Sequence, residues 1–323
     1  MIIESLTVFV GVVLVLLLAE IIIKNSVELS KHYGFSGTFI GLTVLSIGTS
    51  IPEIMTHIIG SINIIKEPAL MNTLSALVIG TNIGSDIFQQ NFVLPLVGLV
   101  GVVIVIKKNL FTEVGALIGA ALLVWLFSLG GMVTRIEGLI LLLAYIAYLI
   151  YLKKSKISEE YSALNHLKKK EIAFAIGLIL ISFIIMALSA GRVLDASTIL
   201  VKQLPISASF FGVILLGVAS ALPELTTSLI AITKGKKGLS AGILIGSNIT
   251  NPLLGIGLGA LISSYTVPNV IILFDLPVKI LTAVLLYYFL MRNEKLDKKE
   301  AIVLMVLFVA YLVVRQIYFP IDF

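Results

Sequence analysis

Apolar runs of about 20 residues, enough to cross the hydrocarbon core of a bilayer, recur along the whole chain between short polar links. They give ten candidate spans, at residues 5–23, 37–64, 69–105, 111–129, 133–152, 172–194, 206–233, 239–274, 276–291 and 300–318. The pattern predicts an all-α polytopic membrane protein of ten transmembrane helices. Runs 69–105 and 239–274 are too long for one straight crossing and are expected to bend or break. The most polar link, KKSKISEEYSALNHLKKKE at 153–171, divides the chain into 1–152 and 172–323, five spans each, and reads as a cytoplasmic linker.

The two parts resemble each other. GLTVLSIGTSIPEIMTHIIGSI at 41–62 aligns with GVILLGVASALPELTTSLIAIT at 212–233, and IGTNIGSDIFQ at 79–89 with AGILIGSNITN at 241–251. Because each part has an odd number of spans, the second copy must enter the membrane from the opposite side, an inverted-topology repeat of the kind found in secondary transporters. The first part carries nine more residues between its motifs, which fits a longer outer loop around Lys66 to Met71.

Charge tests this layout, since cytoplasmic loops collect lysine and arginine. With the N-terminus outside, 17 of the 23 basic residues fall on inner loops, including six lysines of the linker. Lys66, Arg135, Arg192, Lys202, Lys279 and Arg315 are left outside, and both termini face outward. A mean hydropathy of +1.11 with 13% charged residues agrees with an integral protein of the cell membrane surrounded by lipid. The net charge of +5 therefore reflects loop topology, not nucleic-acid binding. Cysteine is absent, which excludes disulfides and thiolate chemistry. The opening residues have no basic leader or small-residue cleavage site and read as a retained first span. The sequence sets no oligomeric state.

Each first motif puts a proline and a glutamate in mid-span. Pro52 has no N–H and its ring clashes with the carbonyl four residues back, freeing backbone oxygens near Gly48 and Thr49; Pro223 does the same near Ala219 and Ser220. Glu53 and Glu224 add a carboxylate beside each break. A single copy would pass as a kink with a snorkelling or protonated side chain. Two copies at matching positions point to a shared cation site, because intramembrane carboxylates are costly unless used. The second motifs add Ser85, Asp86 and Gln89, and Ser247, Asn248 and Asn251. Residues 85 and 89, like 247 and 251, share a helix face. The Gly80/Gly84 and Gly242/Gly246 spacings also serve close helix packing, and both uses are expected, on different faces. His57, one turn past Glu53, could take protons near neutral pH, but is better read as a bundle hydrogen-bonding group. Glu20 and Glu113 read as interfacial, and His32 and His166 as inner-loop residues.

The sequence GTSIPE with ALPELTTS, each followed by a GS[DN]I segment, resembles the two alpha repeats of the calcium:cation antiporter superfamily, which includes the sodium/calcium exchangers. The resemblance covers essentially the whole chain. It implies that Glu53 and Glu224 are central calcium ligands and that Thr49 and Ser220 lend backbone carbonyls. It also implies that Ser85 with Gln89, and Ser247 with Asn251, line adjoining ion sites. The chain departs from the family pattern at Ala221, which offers no hydroxyl opposite Ser50, and at Gln89 and Asn251, and these departures bear on sodium coupling. Asp86 could line the pathway or pair elsewhere. The implied activity is secondary antiport of calcium against sodium by alternating access, with small cations as substrates and no cofactor. Proton-coupled antiport of calcium or another divalent cation uses the same glutamates. A cation channel fits two inverted broken-helix motifs less well, and no HExxH, DDxxD or nucleophile-elbow pattern speaks for an enzyme.

Overall fold

The computed structural model describes residues 2–32, 39, 41–101, 107–154, 167–204 and 206–322. Residues 155–166, most of the expected linker and with it His166, lie outside the described residues. The apolar runs become helices: α1 (Ile2–His32), α2 (Gly41–Thr49), α3 (Ile51–Lys66), α4 (Met71–Phe88), α5 (Leu94–Val100), α6 (Phe111–Ser128), α7 (Arg135–Lys154), α8 (Lys169–Gln203), α9 (Ala208–Thr233), α10 (Lys237–Ser263), α11 (Ile271–Asn293) and α12 (Lys298–Tyr318). Among the described residues, eight helices are long and apolar enough to cross a membrane, or nine if the bent pair α2–α3 is one span. The run expected at 69–105 is helical over 71–100, because α4 continues through a wide turn at Gln89–Val93 into α5.

The run 239–274 breaks, as its length predicts. Helix α10 stops at Ser263, Ser264 takes φ 60, and Tyr265–Thr266 pairs as a short antiparallel strand with Met132–Val133 before α11 begins at Ile271. Hydropathy alone does not show this turn, although Ser263, Ser264 and Pro268 supply turn chemistry there. Among the described residues the fold is thus nearly all helical, with one two-stranded patch.

Burial orders the helices. In α10, 89% of the apolar window is buried, against 12% in α1, so α10 is central and α1 peripheral. Helices α1 and α8 pack along each other and turn Leu6, Phe9, Leu17, Phe174, Ile184 and Leu188 outward, as suits a hydrocarbon solvent. Wide π turns recur at corresponding places in the two parts: Gly41–Leu45 and Gly212–Leu216 open the first motifs, while Gln89–Val93 and Asn251–Ile256 start at the last residue of the second. Such turns interrupt the regular ladder and are frequent at functional sites. A further π turn, Ile271–Asp275, opens α11; Trp125 of α6 donates its indole N–H to the Ile272 carbonyl there, at 2.9 Å.

Candidate cation site

Each break falls one residue before a proline-bearing helical segment begins. Ser50 (φ −79, ψ 1) separates α2 from α3, which diverge by 52°, and Ala221 (φ −83, ψ 1) makes the matching irregularity within α9. Pro52 and Pro223 each lie in the first turn of the segment beyond the break, where a missing N–H is tolerated, and the carbonyls of Gly48 and Ala219 lose their helical donor. Glycines let the flanking segments cross closely. A Cβ on Gly246 of α10 would stand 2.7 Å from the Ser46 Cβ of α2, and one on Gly80 of α4 would stand 2.7 Å from the Ser209 carbonyl oxygen of α9. The small-residue face and the oxygen-bearing face therefore coexist on the same helices, as the spacing suggested.

Between these crossings Glu53 and Glu224 are buried, 1% and 0% exposed, with Glu53 near enough to act electrostatically on Glu224. Ser85 donates to Glu53 Oε1 at 2.7 Å, Gln89 Nε2 donates to Ser85 Oγ at 3.0 Å, and Asn248 Nδ2 donates to Gln89 Oε1 at 3.3 Å. The Ser220 hydroxyl also neighbours Glu53. Thr49 and Ser247, whose hydroxyls are 3.2 Å apart, flank the Glu224 carboxyl without closing a hydrogen bond of normal geometry. Six buried oxygens lack a donor: Glu53 Oε2, both oxygens of Glu224, Ser50 Oγ, Asn248 Oδ1 and Asn251 Oδ1. Burying a polar atom unpaired costs on the order of 1–3 kcal/mol, and a carboxylate more. Such a concentration of acceptors calls for a cation.

The remaining expected residue, Asp86, faces a different partner. It forms a buried ion pair with Lys279 and accepts from Asn251 Nδ2 at 2.8 Å. Lys279 and Arg315, assigned to outer loops by the charge pattern, are both fully buried, Arg315 against Asp275 at 3.2 Å. Lys66, Arg135, Arg192 and Lys202 are exposed. His57 is enclosed in hydrogen bonds, Nδ1 with the Tyr265 hydroxyl and Nε2 with Asn82 Nδ2, each 3.1 Å, in line with a bundle role. Glu113, near the start of α6, is buried, 4% exposed. Reasoning from sequence missed Asn82 and the placement of Lys279 beside the site; the signal for Lys279 was a lone lysine inside an apolar run. A cavity of about 580 Å³ between α1 and α9 is lined by Glu20, Lys24, Glu28 and Lys234 and by Pro223, the residue before Glu224.

Among the described residues no three His, Cys, Asp or Glu side chains form a metal cluster. An ion held here would use two carboxylates together with hydroxyl, amide and carbonyl oxygens, the hard, adaptable donor set that suits calcium. An oxygen-lined cation site between interrupted helices, in a chain that spans the membrane many times, defines a cation transporter. Comparison with known proteins narrows the class. The sodium/calcium exchanger protein family matches residues 4–154 and 174–316, and the chain belongs to that family. It is a cation antiporter, from a transporter family rather than an enzyme family. The chain is 27% identical to the inner membrane protein YrbG of Escherichia coli, over 81% of each chain. It is 26% identical to the sodium/calcium exchanger MaX1 of Methanosarcina acetivorans, over 97% of this chain and 98% of that one. A solved structure of the sodium-calcium exchanger NCX_Mj superposes with a TM-score of 0.67 at 26% identity, covering 97% of this chain and 99% of that one.

Proposed function

We propose that the chain exchanges calcium for sodium, the cations taking turns at one site made by Glu53 and Glu224. The carbonyls of Thr49 and Ser220 and side chains from Ser50, Ser85, Gln89, Ser247 and Asn251 complete it. The observation that carries this reading is the set of buried, donorless oxygens on and around the two carboxylates. Calcium bound there neutralises both carboxylates. Once it leaves, the pair repels in a low-dielectric setting and the empty site is held back from crossing. Monovalent cations must restore neutrality before the return, and that requirement couples the two fluxes.

Access alternates in this proposal as α1 and α8 slide against the bundle that holds the motifs. Their mutual packing and lipid-facing exterior suit a unit that moves as one, and the cavity between α1 and α9 gives the ion a route. The architecture we assign is ten transmembrane helices, as two inverted five-helix repeats (1–152 and 172–323) joined by a cytoplasmic linker at 153–171, with both termini outside the cell membrane. The motif pairs and the paired π turns support it. The test is calcium flux into proteoliposomes under imposed sodium or proton gradients, for the unaltered chain and for E53Q and E224Q. Sodium-driven calcium uptake lost in both variants is expected. Uptake driven by a pH gradient alone would reassign the counter-ion to protons, and unchanged exchange in either variant would overturn the shared site.

A further inference from the structure

Lys279 and Asp86 form a fully buried ion pair beside the transport site. The pair is held from several directions. Asp86 Oδ1 accepts from Asn251 Nδ2 at 2.8 Å, and the Asn251 backbone carbonyl accepts from Asn82 Nδ2 at 2.8 Å. Gln90 Nε2 donates to the Lys279 carbonyl at 3.1 Å and to Thr282 Oγ1 at 2.6 Å, and Asn91 Nδ2 donates to Thr282 Oγ1 at 3.1 Å. These bonds fasten the segment of α11 that carries the ammonium to α4 and the wide turn at its end. Asp86 follows directly on Ser85, whose hydroxyl donates to Glu53, so the pair adjoins the ion site and counts in the same buried charge balance. Asn251, turned by its bond to Asp86, leaves Oδ1 without a donor.

We propose that the Lys279 ammonium is a resident cation that permanently neutralises Asp86 and so sets exchange at two monovalent charges per divalent ion, with no net charge moved. This rests on the exchange reading above and deepens it. The buried unit contains three carboxylates, Glu53, Glu224 and Asp86, and one ammonium, which leaves two uncompensated negative charges. One divalent cation cancels them, and so do two monovalent cations. Both loaded forms then cross the membrane uncharged. Without the lysine a third negative charge would persist. The divalent form would cross with one charge left over, and the return would take a third monovalent ion. The identity of the counter-ion does not enter this count.

The test measures the steady-state calcium gradient in proteoliposomes against a fixed gradient of the driving ion, with the membrane potential clamped at zero and at about −60 mV. One net charge per cycle shifts that gradient about tenfold over about 60 mV. The unaltered chain is expected to show the same gradient at both potentials; a shift of about tenfold overturns the resident cation. K279M is expected to acquire the shift and the double variant D86N/K279M to lose it again. K279M as insensitive as the unaltered chain would overturn the proposal, since the pair would then be structural. If K279M does not fold, the unaltered chain and the double variant decide. An absence of calcium exchange in the unaltered chain under either gradient would sink the exchange reading itself, and the charge count with it.

Discussion

At Ser50 and at Ala221 the backbone turns through nearly the same angles, yet one residue carries a hydroxyl and the other a methyl group. The hydroxyl is not what makes the turn. Proline two residues on, with the small residues around it, suffices, so the side chain at this position is free to serve the ion. The carboxylates differ in the opposite sense. Glu53 is held by Ser85, itself steadied by Gln89, whereas both oxygens of Glu224 are without a donor. The second motifs diverge as well: the first part has Asp86 with its lysine, and the second has neutral Asn248 at the corresponding place. Two copies that share a backbone thus divide the work, one fixing a ligand and the other leaving one open.

The comparison can be broken most forcefully at the glutamates. Removing one of two buried charges that oppose a divalent cation is worth about 3–5 kcal/mol by analogy with buried ion pairs. Calcium-dependent flux is expected to fall about 100-fold or more in E53Q and E224Q, with calcium affinity, measured by calorimetry in detergent, falling further in E224Q. Equal affinities would erase the asymmetry. Next, packing: valine at Gly246 or at Gly80 forces crossed backbones apart and should cost about 1–3 kcal/mol in each part, read as a lowered melting temperature in detergent. A variant that melts unchanged would mean that the crossing is looser than the contacts indicate. Ser85→Ala removes a hydrogen bond to a charged group, worth about 1.5–3 kcal/mol, and is expected to weaken calcium binding about tenfold, whereas Ser228→Ala, at a hydroxyl with no partner, should not. The smallest effect is expected from Ala221→Ser. It adds the hydroxyl that Ser50 supplies on the other side and should sharpen the dependence of exchange on sodium by less than tenfold, as one neutral hydrogen-bonding group allows. A fall in sodium dependence would show the two sides to be inequivalent there.

Much of this is legible along the chain, for physical reasons. Bilayer thickness fixes the length of an apolar run, and a proline beside a glutamate in mid-span, written twice, is too costly to be incidental. Both glutamates and the serines and amides of the second motifs do converge. The features hidden from the sequence depend on contacts between distant positions. Lys279 meets Asp86 across 193 residues, and hydropathy treats a lysine near the end of an apolar run as a boundary marker, which puts it outside. Arg315 is misplaced for the same reason, since its partners Asp275 and Ser209 lie far from it in the sequence. The break in run 239–274 is announced by its length, but its place after Ser263 escapes because polarity averaged over a long window conceals two serines and a proline.

The indole bond from Trp125 to the start of α11 has a practical consequence. The chain has a single tryptophan, so indole emission, excited selectively at the red edge of absorption, comes from one known place, with no second indole to subtract. That fluorophore grips the same helix as Lys279, and titrating detergent-solubilised protein with calcium or sodium would follow the helix optically, without dyes or engineered labels.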